Sequence, residues 1–401
     1  MNEIWVLGAT GRTGRAIAGR LAASGAPLVL VGRDAARLDD VAVSVGGTSR
    51  TVVVGPAAGT DGGGLPGGTG CAGRGRGARG GPGTRGGRRR APAGTAVAAV
   101  TARLAAAEHA VVVNTIGPFT ETAVPIARAC PPGTHYLDLA NELRAVTGLL
   151  ALQDEAAADG RCLVSGAGFG VLATESVVLK MCAGRPAPAR VRVDAMAAVD
   201  GEPGPIGSAL AASIVDAIAV GGRRYEGGRL VRARLGGDFQ RFTLPDGSTA
   251  HGAGGPSGEL VAARRASGAP FVVAASGMMP SGRAVRAVLP AAALLLARRP
   301  IGTAVKRRFA RVQVEHSARK REFSWARAVV QDADGRIREG WLRAGDGMGF
   351  TTCVAAEVAV RLARGEAKPG AHTPGALFGP ELAEAAGGTF LLDFLLDGAA
   401  P

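Results

Sequence analysis

Apolar and polar positions follow two alternating periods along the first half of the chain. Residues 3–7 predict a short buried strand, residues 16–23 have the apolar spacing of a helix, and residues 27–31 predict a second buried strand. This order of strand, turn, helix and strand is typical of a βαβ unit with parallel strands. The alternation continues to about residue 182, with further strands predicted at 51–54, 110–114, 135–139 and 162–165 and helices at 34–43, 97–107, 123–129 and 149–159.

From residue 189 to about residue 344 the pattern changes to short strands of period two. Turn pairs such as Asp246-Gly247 and Asp334-Gly335 separate some of them. We therefore predict an α/β protein in which a doubly wound parallel sheet is joined to a second, mainly antiparallel α+β domain. The predicted strands are 190–195, 240–244, 271–275, 312–316, 327–331 and 340–344, and the predicted helices are 207–220, 284–297 and 349–364.

Composition changes this picture at one segment. The 401 residues suit two domains, but the formal charge of +14 is unevenly spread. Between Gly55 and Gly94, seven arginines stand against one acid, Asp61, and there is almost nothing to bury. We predict a disordered surface loop there, or a stretch of coding sequence read out of frame. An RNA-binding tail would carry interleaved aromatic residues, which this segment lacks, so we expect no nucleic-acid partner.

Cysteine usage and apolar runs bear on the compartment. The five cysteines are dispersed without a CxxC pair, which favours reduced thiols and a cytoplasmic protein. Residues 1–7 lead directly into a strand and a glycine turn, so no secretory signal is expected. The apolar run 287–297 contains a proline and is too short for a transmembrane segment. The histidines have no metal-binding spacing, so we expect no metal.

The turn after the first strand carries the chemistry. Its glycines have GxxGxxG spacing: Gly8 allows a tight exit from the strand, Gly11 lets the backbone approach a pyrophosphate, and Gly14 lets the helix pack on the strand. The N-terminus of the following helix offers N–H groups and a positive dipole end to phosphates. The sequence therefore predicts a Rossmann dinucleotide site, formed by the loop residues Gly8, Thr10, Gly11, Arg12, Thr13 and Gly14.

The residue after the second strand favours NADP(H) over NAD(H). NAD-preferring sites usually place a carboxylate there to bind the ribose 2′-hydroxyl, whereas Arg33 suits a 2′-phosphate. Arg12 is placed to assist. Asp34 is adjacent, and its position at the start of a predicted helix favours an N-cap. The alternative for Arg33 is a solvated loop cation.

Two later strand ends supply further candidates. Asn114, Gly117 and Pro118 follow a predicted strand whose carboxyl end should line the same crevice, beside the nicotinamide ribose. Around the next strand end, Tyr136, Asp138 and Glu142 are candidates for orienting substrate or moving a proton, or for purely structural hydrogen bonds. No Tyr-x-x-x-Lys pair exists, which counts against ordinary short-chain dehydrogenase catalysis.

Four blocks in this order and spacing resemble the saccharopine dehydrogenase-like family, which includes saccharopine reductases and bacterial trans-acting enoyl reductases. The blocks are GATGRTG (8–14), VGRDAARL (31–38), VVVNTIGPF (111–119) and ACPPGTHYLDLANE (129–142). The segment AHTPGAL (371–377), with GTF (388–390) after it, is similar to the tail of the enoyl-reductase-like branch. The resemblance covers residues 1–54 and 96–180, and in part 349–395.

The resemblance implies a two-domain oxidoreductase with NADP(H) in its Rossmann part and hydride transfer to or from a C=C or C=N bond of a small-molecule or acyl substrate. The implied cofactor residues are Gly8, Gly11, Gly14, Arg33, Asn114, Gly117 and Pro118. Two departures stand out. The segment 55–94 replaces an ordinary strand–helix unit, and Gly170 follows GAGF where members often carry an acid.

Together these features predict a reductase in which Asp138 or Glu142, or a water that they hold, manages the proton. The predicted domains are 1–182 for NADP(H), 183–348 for substrate or dimerisation, and 349–401 for a C-terminal helix and tail that pack back on the first domain. One alternative is a non-catalytic NADP-binding sensor or scaffold, and another is a nucleic-acid-associated protein using the Arg/Gly segment. A homodimer is left open.

Overall fold

The computed structural model describes most of the chain, namely residues 1–46, 49–55, 93–105, 110–199, 204–205, 208–279, 282–314 and 321–395. The segment 55–94, predicted to be a disordered loop or an out-of-frame stretch, lies outside the described residues except at its two ends.

Strands and helices alternate through the first part of the chain. The strands are β1 (Ile4–Leu7), β2 (Leu28–Gly32), β3 (Ser49–Val53), β4 (Val111–Asn114), β5 (His135–Asp138) and β6 (Cys162–Val164). The helices are α1 (Arg12–Ala23), α2 (Ala35–Val45), α3 (Ala93–Leu104), α4 (Phe119–Ala129), α5 (Leu143–Leu150), α6 (Gln153–Ala158), a short π-helix (Phe169–Ala173) and α7 (Thr174–Cys182).

One predicted helix in this part is wrong. Residues 149–159 do not form a single helix, because α5 ends at Leu150 and α6 starts at Gln153. Leu149, Leu150 and Leu152 all join the same apolar cluster. The turn between the two helices brings Leu152 back to the core that α5 already packs against.

The second part of the chain is richer in strands than its pattern predicts. Its strands are β7 (Arg190–Met196), β8 (Gly204–Pro205), β9 (Gly222–Glu226), β10 (Arg229–Ala233), β11 (Gln240–Thr243), β12 (Thr249–Gly254), β13 (Phe271–Ser276), β14 (Gln313–Val314), β15 (Ser324–Gln331) and β16 (Ile337–Ala344). Its helices are α8 (Ser208–Val220), α9 (Gly258–Ser267), α10 (Arg283–Leu296) and α11 (Arg299–Phe309). The C-terminal elements are α12 (Gly347–Ala363), β17 (Gly370–His372), α13 (Pro374–Phe378), α14 (Glu381–Ala385) and β18 (Thr389–Leu395).

The first sheet is parallel and doubly wound. Its strand order is β17-β6-β5-β4-β1-β2-β3, and each of its neighbouring pairs is parallel. The chain runs from β1 through β2 to β3 on one side and then crosses to β4 on the other side of β1. The carboxyl ends of β1 and β4 therefore flank the topological switch point, where ligands of such sheets bind.

The second sheet is mixed and mainly antiparallel, in the order β10-β9-β13-β7-β15-β16-β18 with β11 and β12 beside it. Only β7 and β13 pair in parallel among its described strands. Helices α7 and α9 pack on one face of this sheet, against β15 and β7. The α/β class with a parallel sheet and a second, mainly antiparallel sheet is thus confirmed.

The C-terminal elements return to both sheets. Helix α12 packs against α1, β17 pairs with β6 in the first sheet, and β18 pairs with β16 in the second. Apolar side chains of α12, such as Val354 and Val358, lie in one cluster with residues of both sheets. The predicted boundaries at residues 182 and 348 stay a prediction.

A buried carboxylate holds the C-terminal segment on α7. Glu175 has no solvent exposure, and it accepts hydrogen bonds from the Thr373 hydroxyl and, at 2.8 Å, from the Gly375 backbone N–H at the start of α13. A Cβ on Gly375 would lie 2.7 Å from this carboxylate, so a larger residue there would displace it. Burial raises the pKa of Glu175 to about 7, although the donated hydrogen bonds oppose that shift.

The raised pKa of Glu175 predicts a stability that falls with pH. The folded protein binds this proton more tightly than the unfolded chain, so the contribution to the free energy of unfolding is complete below about pH 4.5 and lost as the pH rises through about 7. The expected loss is about 3 kcal/mol. Urea unfolding of Glu175→Gln between those pH values should show a flatter profile, with Glu121→Gln, an exposed site on α4, as control. An unchanged slope would contradict the assignment.

Candidate functional site

Two loops meet at the switch point of the first sheet. The glycine loop follows β1, and residues 114–118 follow β4, its hydrogen-bonded neighbour. The Thr115 hydroxyl joins them by donating to the Leu7 carbonyl at 2.7 Å. Thr115 is not among the predicted site residues, because a threonine in a loop carries no distinctive pattern. It fixes the glycine loop against the end of β4.

The glycines of the loop are required by close backbone packing. Gly8 has a φ of +79°, and a Cβ there would also lie 2.8 Å from the Thr115 hydroxyl oxygen. A Cβ on Gly14 would lie 2.4 Å from the Gly8 carbonyl oxygen. Helix α1 therefore starts in direct contact with the turn that leaves β1, as the fingerprint predicts.

The N-terminus of α1 is arranged to receive an anion. Gly11 is its N-cap residue and has no side chain to cap the helix, and the first turn of the helix contains no acidic residue. Arg12 is exposed beside it, and Thr10 and Thr13 are half-buried. The first backbone N–H groups of a helix seek an acceptor, and the helix dipole favours a negative charge there.

Arg33 directly follows β2 and is exposed to solvent. The neighbouring Asp34 accepts a hydrogen bond from the Arg37 N–H at 3.2 Å and is the N-cap of α2, which confirms the predicted cap. The space between β2 and the glycine loop is narrow, since a Cβ on Gly32 would lie 3.3 Å from the Thr10 methyl group. Arg33 follows Gly32 directly in the chain, and its role in binding a 2′-phosphate stays a prediction.

Three predicted site residues form one buried hydrogen-bonded chain across β4 and β5. The Asn114 amide donates to the Tyr136 hydroxyl at 3.0 Å, and that hydroxyl donates to Asp138 at 3.0 Å. All three side chains have no solvent exposure. The side-chain Oδ1 of Asn114 also accepts from the Ile116 N–H at 2.9 Å, which shapes the turn leading to Gly117 and Pro118. Both of those residues are half-buried, and their peptide bond is cis.

Asp138 ties the ends of β5 and β6 together. One of its oxygens accepts from the Ala140 N–H at 3.0 Å, the Ser165 hydroxyl at 2.9 Å and the Gly166 N–H at 3.2 Å. Burial raises the pKa of Asp138 to about 6 against these donors, and burial together with the Asp138 charge raises the pKa of Tyr136 well above its ordinary value. The arrangement orients backbone, and the catalytic role predicted for both residues stays a prediction.

Glu142 is the predicted catalytic residue with partial solvent exposure. It is the N-cap residue of α5 and faces the second part of the chain, where the Ser213 hydroxyl of α8 donates to it. The backbone N–H of Asn141 donates to its other oxygen at 3.2 Å. The carboxylate thus lies where the first sheet meets α8.

A second carboxylate, Glu259 on α9, lies beside it. It is buried and accepts from the Asn141 amide at 3.1 Å, and burial raises its pKa. A Cβ on Gly170 would lie 2.5 Å from a Glu259 oxygen, so Glu259 occupies the space that a side chain at position 170 would need. Glu259 is not among the residues predicted from the sequence, although Ser257 before it is a helix-start residue, because the contact joins residues 118 positions apart.

Among the described residues, no group of three or more His, Cys, Asp or Glu side chains could hold a metal ion. Carboxylates, amides, hydroxyls and backbone N–H groups lie at these strand ends, and Arg12 and Arg33 are exposed in the segments that follow β1 and β2. Such a set can bind an anionic cofactor and orient a neutral or cationic group, or exchange a proton, but it cannot itself carry electrons.

No protein-family model matches the chain, and no curated protein sequence matches it. Among solved structures, apo saccharopine dehydrogenase (L-Glu forming) from Saccharomyces cerevisiae is similar over 96% of this chain and 96% of that chain, with a TM-score of 0.54 and 12% identity. A short-chain dehydrogenase from Sphingobium yanoikuyae in complex with NADPH covers 41% of this chain and 70% of that chain, with a TM-score of 0.29 and 16% identity. The full-length similarity establishes that this chain has the fold of saccharopine dehydrogenase.

Proposed function

We propose that this protein is an NADP(H)-dependent oxidoreductase that binds its cofactor at the switch point between β1 and β4. The observation that carries the proposal is the close packing of Gly14 on the Gly8 carbonyl. This packing places the N-terminus of α1, whose N-cap residue Gly11 has no side chain to cap it, next to the end of β1. That geometry suits a pyrophosphate, and the fold shared over the full length with saccharopine dehydrogenase supports it.

Different residues at the switch point would contact different parts of the cofactor. The Gly11 N–H donates to the Gly8 carbonyl at 2.9 Å, so the backbone N–H groups of Arg12 to Gly14 would hold the pyrophosphate, with Thr10 and Thr13 beside them. Arg33 with Arg12 would bind a ribose 2′-phosphate. Asn114, Gly117 and Pro118 would border the nicotinamide ribose. The bound nicotinamide would supply or accept the hydride at a C=C or C=N bond.

Side chains of this protein would position the cofactor and the substrate and would transfer the proton. We assign Asn114, Tyr136 and Asp138 to positioning, because their buried hydrogen bonds hold the turns after β4, β5 and β6. We assign substrate orientation and proton transfer to Glu142, which is partly exposed beside α8. The substrate would then lie between residues 1–182 and the domain of residues 183–348.

Titration of the protein with NADPH and NADH, followed by nicotinamide fluorescence, tests the cofactor assignment. Arg33→Ala should weaken NADPH binding by about 10- to 100-fold, as expected for a lost charge-assisted hydrogen bond, and leave NADH binding within about twofold. Arg20→Ala, at the far end of α1, is the matched control. Binding of neither nucleotide, or equal losses for both, would contradict the proposal.

A second function is favoured by one observation. Tyr136 and Asp138 are fully buried, as a nucleotide-binding sensor or scaffold without turnover would allow. NADPH oxidation in the presence of enoyl-thioester and imine substrates separates the two. Tight NADPH binding without oxidation of any of them, and with no effect of Glu142→Gln, would favour the sensor.

A further inference from the structure

Helices α8, α10 and α11 pack on one another as a unit beside the second sheet. Helices α10 and α11 meet at an angle of 115°. Among the described residues, no single helix is long and apolar enough to cross a bilayer, and this bent pair passes that test only when taken together. Core helices can be equally apolar, so the exposure of these side chains is what distinguishes a surface from a core.

The outward face of α10 is apolar. Leu289 and Ala293 face inward and are buried, whereas Val288 is 62% exposed and Leu294 is 75% exposed. After Arg283, every exposed position of the helix is apolar: Ala284, Val285, Ala287, Val288, Ala291, Leu294 and Leu295. A surface helix normally turns a polar face to water, so this face lacks a partner in the described part of the chain.

The stretch of chain that contains α10 and α11 is rich in cations and has no acid of its own. Residues 282–314 contain seven arginines and one lysine, and neither aspartate nor glutamate. Lys306 pairs with Asp216 of α8 at 2.7 Å, and the Arg286 guanidinium lies 3.9 Å from the Phe239 ring centroid. The remaining six side chains are exposed: Arg283, Arg298, Arg299, Arg307, Arg308 and Arg311. The six exposed arginines thus lie on or next to the two helices that carry the exposed apolar residues.

We propose that the unit of α8, α10 and α11 docks on the surface of an anionic phospholipid bilayer. Val288, Leu294 and Leu295 enter the boundary between headgroups and acyl chains, and the exposed arginines bind lipid phosphates. The helices lie in the interface and do not span it. A second copy of this chain is the weaker occupant, because pairing two such faces would oppose six exposed arginines to six like charges.

The proposal is tested with the full-length protein and two kinds of vesicle, made of phosphatidylcholine alone or with phosphatidylglycerol added. Flotation should recover the protein with the anionic vesicles and far less with the neutral ones. Raising the salt concentration should weaken the electrostatic part of the binding. No recovery with anionic vesicles at low salt would overturn the proposal.

Two variants separate the apolar and cationic contributions. Val288→Gln with Leu295→Gln should release the protein from anionic vesicles. Arg307→Gln with Arg308→Gln should lower the partition coefficient by about 25-fold, at about fivefold for each arginine near the surface. These positions are exposed, so the fold should tolerate all four changes.

Matched controls use exposed residues elsewhere. Val43→Gln on α2 removes a valine that is 84% exposed, and Arg20→Gln with Arg103→Gln removes two exposed arginines of the first part. These controls should bind vesicles as tightly as the parent. If the Arg20 and Arg103 control loses as much binding as the Arg307 and Arg308 variant, net charge and not this surface determines the binding. Light scattering of the same variants reports the oligomeric state. A dimer that Val288→Gln with Leu295→Gln dissociates, with no vesicle binding by the parent, would identify a second copy as the occupant.

Discussion

Replacing Gly14 by alanine is expected to remove most of the NADPH affinity. The new Cβ would lie 2.4 Å from the carbonyl oxygen and 2.9 Å from the carbonyl carbon of Gly8. Both are backbone atoms at the end of β1, so no flexible side chain can give way. Overpacking of this kind typically costs about 1–3 kcal/mol, which corresponds to about 5- to 150-fold in affinity when the binding loop is displaced.

The same helix provides the control. A Cβ on Gly19 would meet nothing within 4 Å, so Gly19→Ala tests the helix propensity of alanine without the clash. It should raise the free energy of unfolding by about 1 kcal/mol and leave NADPH binding unchanged. Fluorescence titration and urea unfolding of both variants decide the matter. If Gly14→Ala binds NADPH as tightly as Gly19→Ala does, the cofactor does not depend on the packing of this loop.

The sequence predicts the first sheet better than the second for physical reasons. Strands β1, β2 and β4 are buried on both faces and appear as continuous apolar runs between glycine and polar turns. The hairpin of β9 and β10 escapes prediction, although Gly227-Gly228 is a turn pair typical of hairpins. Arg223, Arg224 and Arg232 fill its strands and hide the alternation.

Backbone constraints of the candidate site can be predicted from the sequence, whereas its tertiary contacts cannot. Gly8 and Gly14 stand out in the sequence because only glycine fits a positive φ or a close backbone approach. The burial of Tyr136 and Asp138 cannot be predicted from their spacing, since it depends on how β5 lies between β4 and β6. Glu259 comes from a distant helix that no local pattern connects to Gly170.

Removing the Asp194 carboxylate is expected to destabilise the second sheet strongly. Asp194 has no solvent exposure and accepts from Arg192 through both oxygens, at 2.7 and 2.9 Å, while Arg327 lies 3.5 Å away. Asp194 and Arg192 lie on one face of β7. Val191 and Val193 lie on its other face, in the apolar cluster that includes residues of α7 and α9. Asp194→Ala would leave two buried guanidinium groups without their shared partner, at a cost of about 3–5 kcal/mol.

The remaining contacts limit that loss and show how to test it. Arg192 keeps the Asp238 carbonyl at 2.6 Å, and Arg327 keeps Glu339. Adding Arg192→Met to Asp194→Ala should therefore recover part of the stability, because one unpaired buried charge is removed with the second change. Glu357→Ala, which breaks a pair with Arg361 on the surface of α12, should cost less than about 1 kcal/mol in the same urea unfolding experiment. If Asp194→Ala is no more destabilising than Glu357→Ala, water reaches the two arginines and the network is not a buried one.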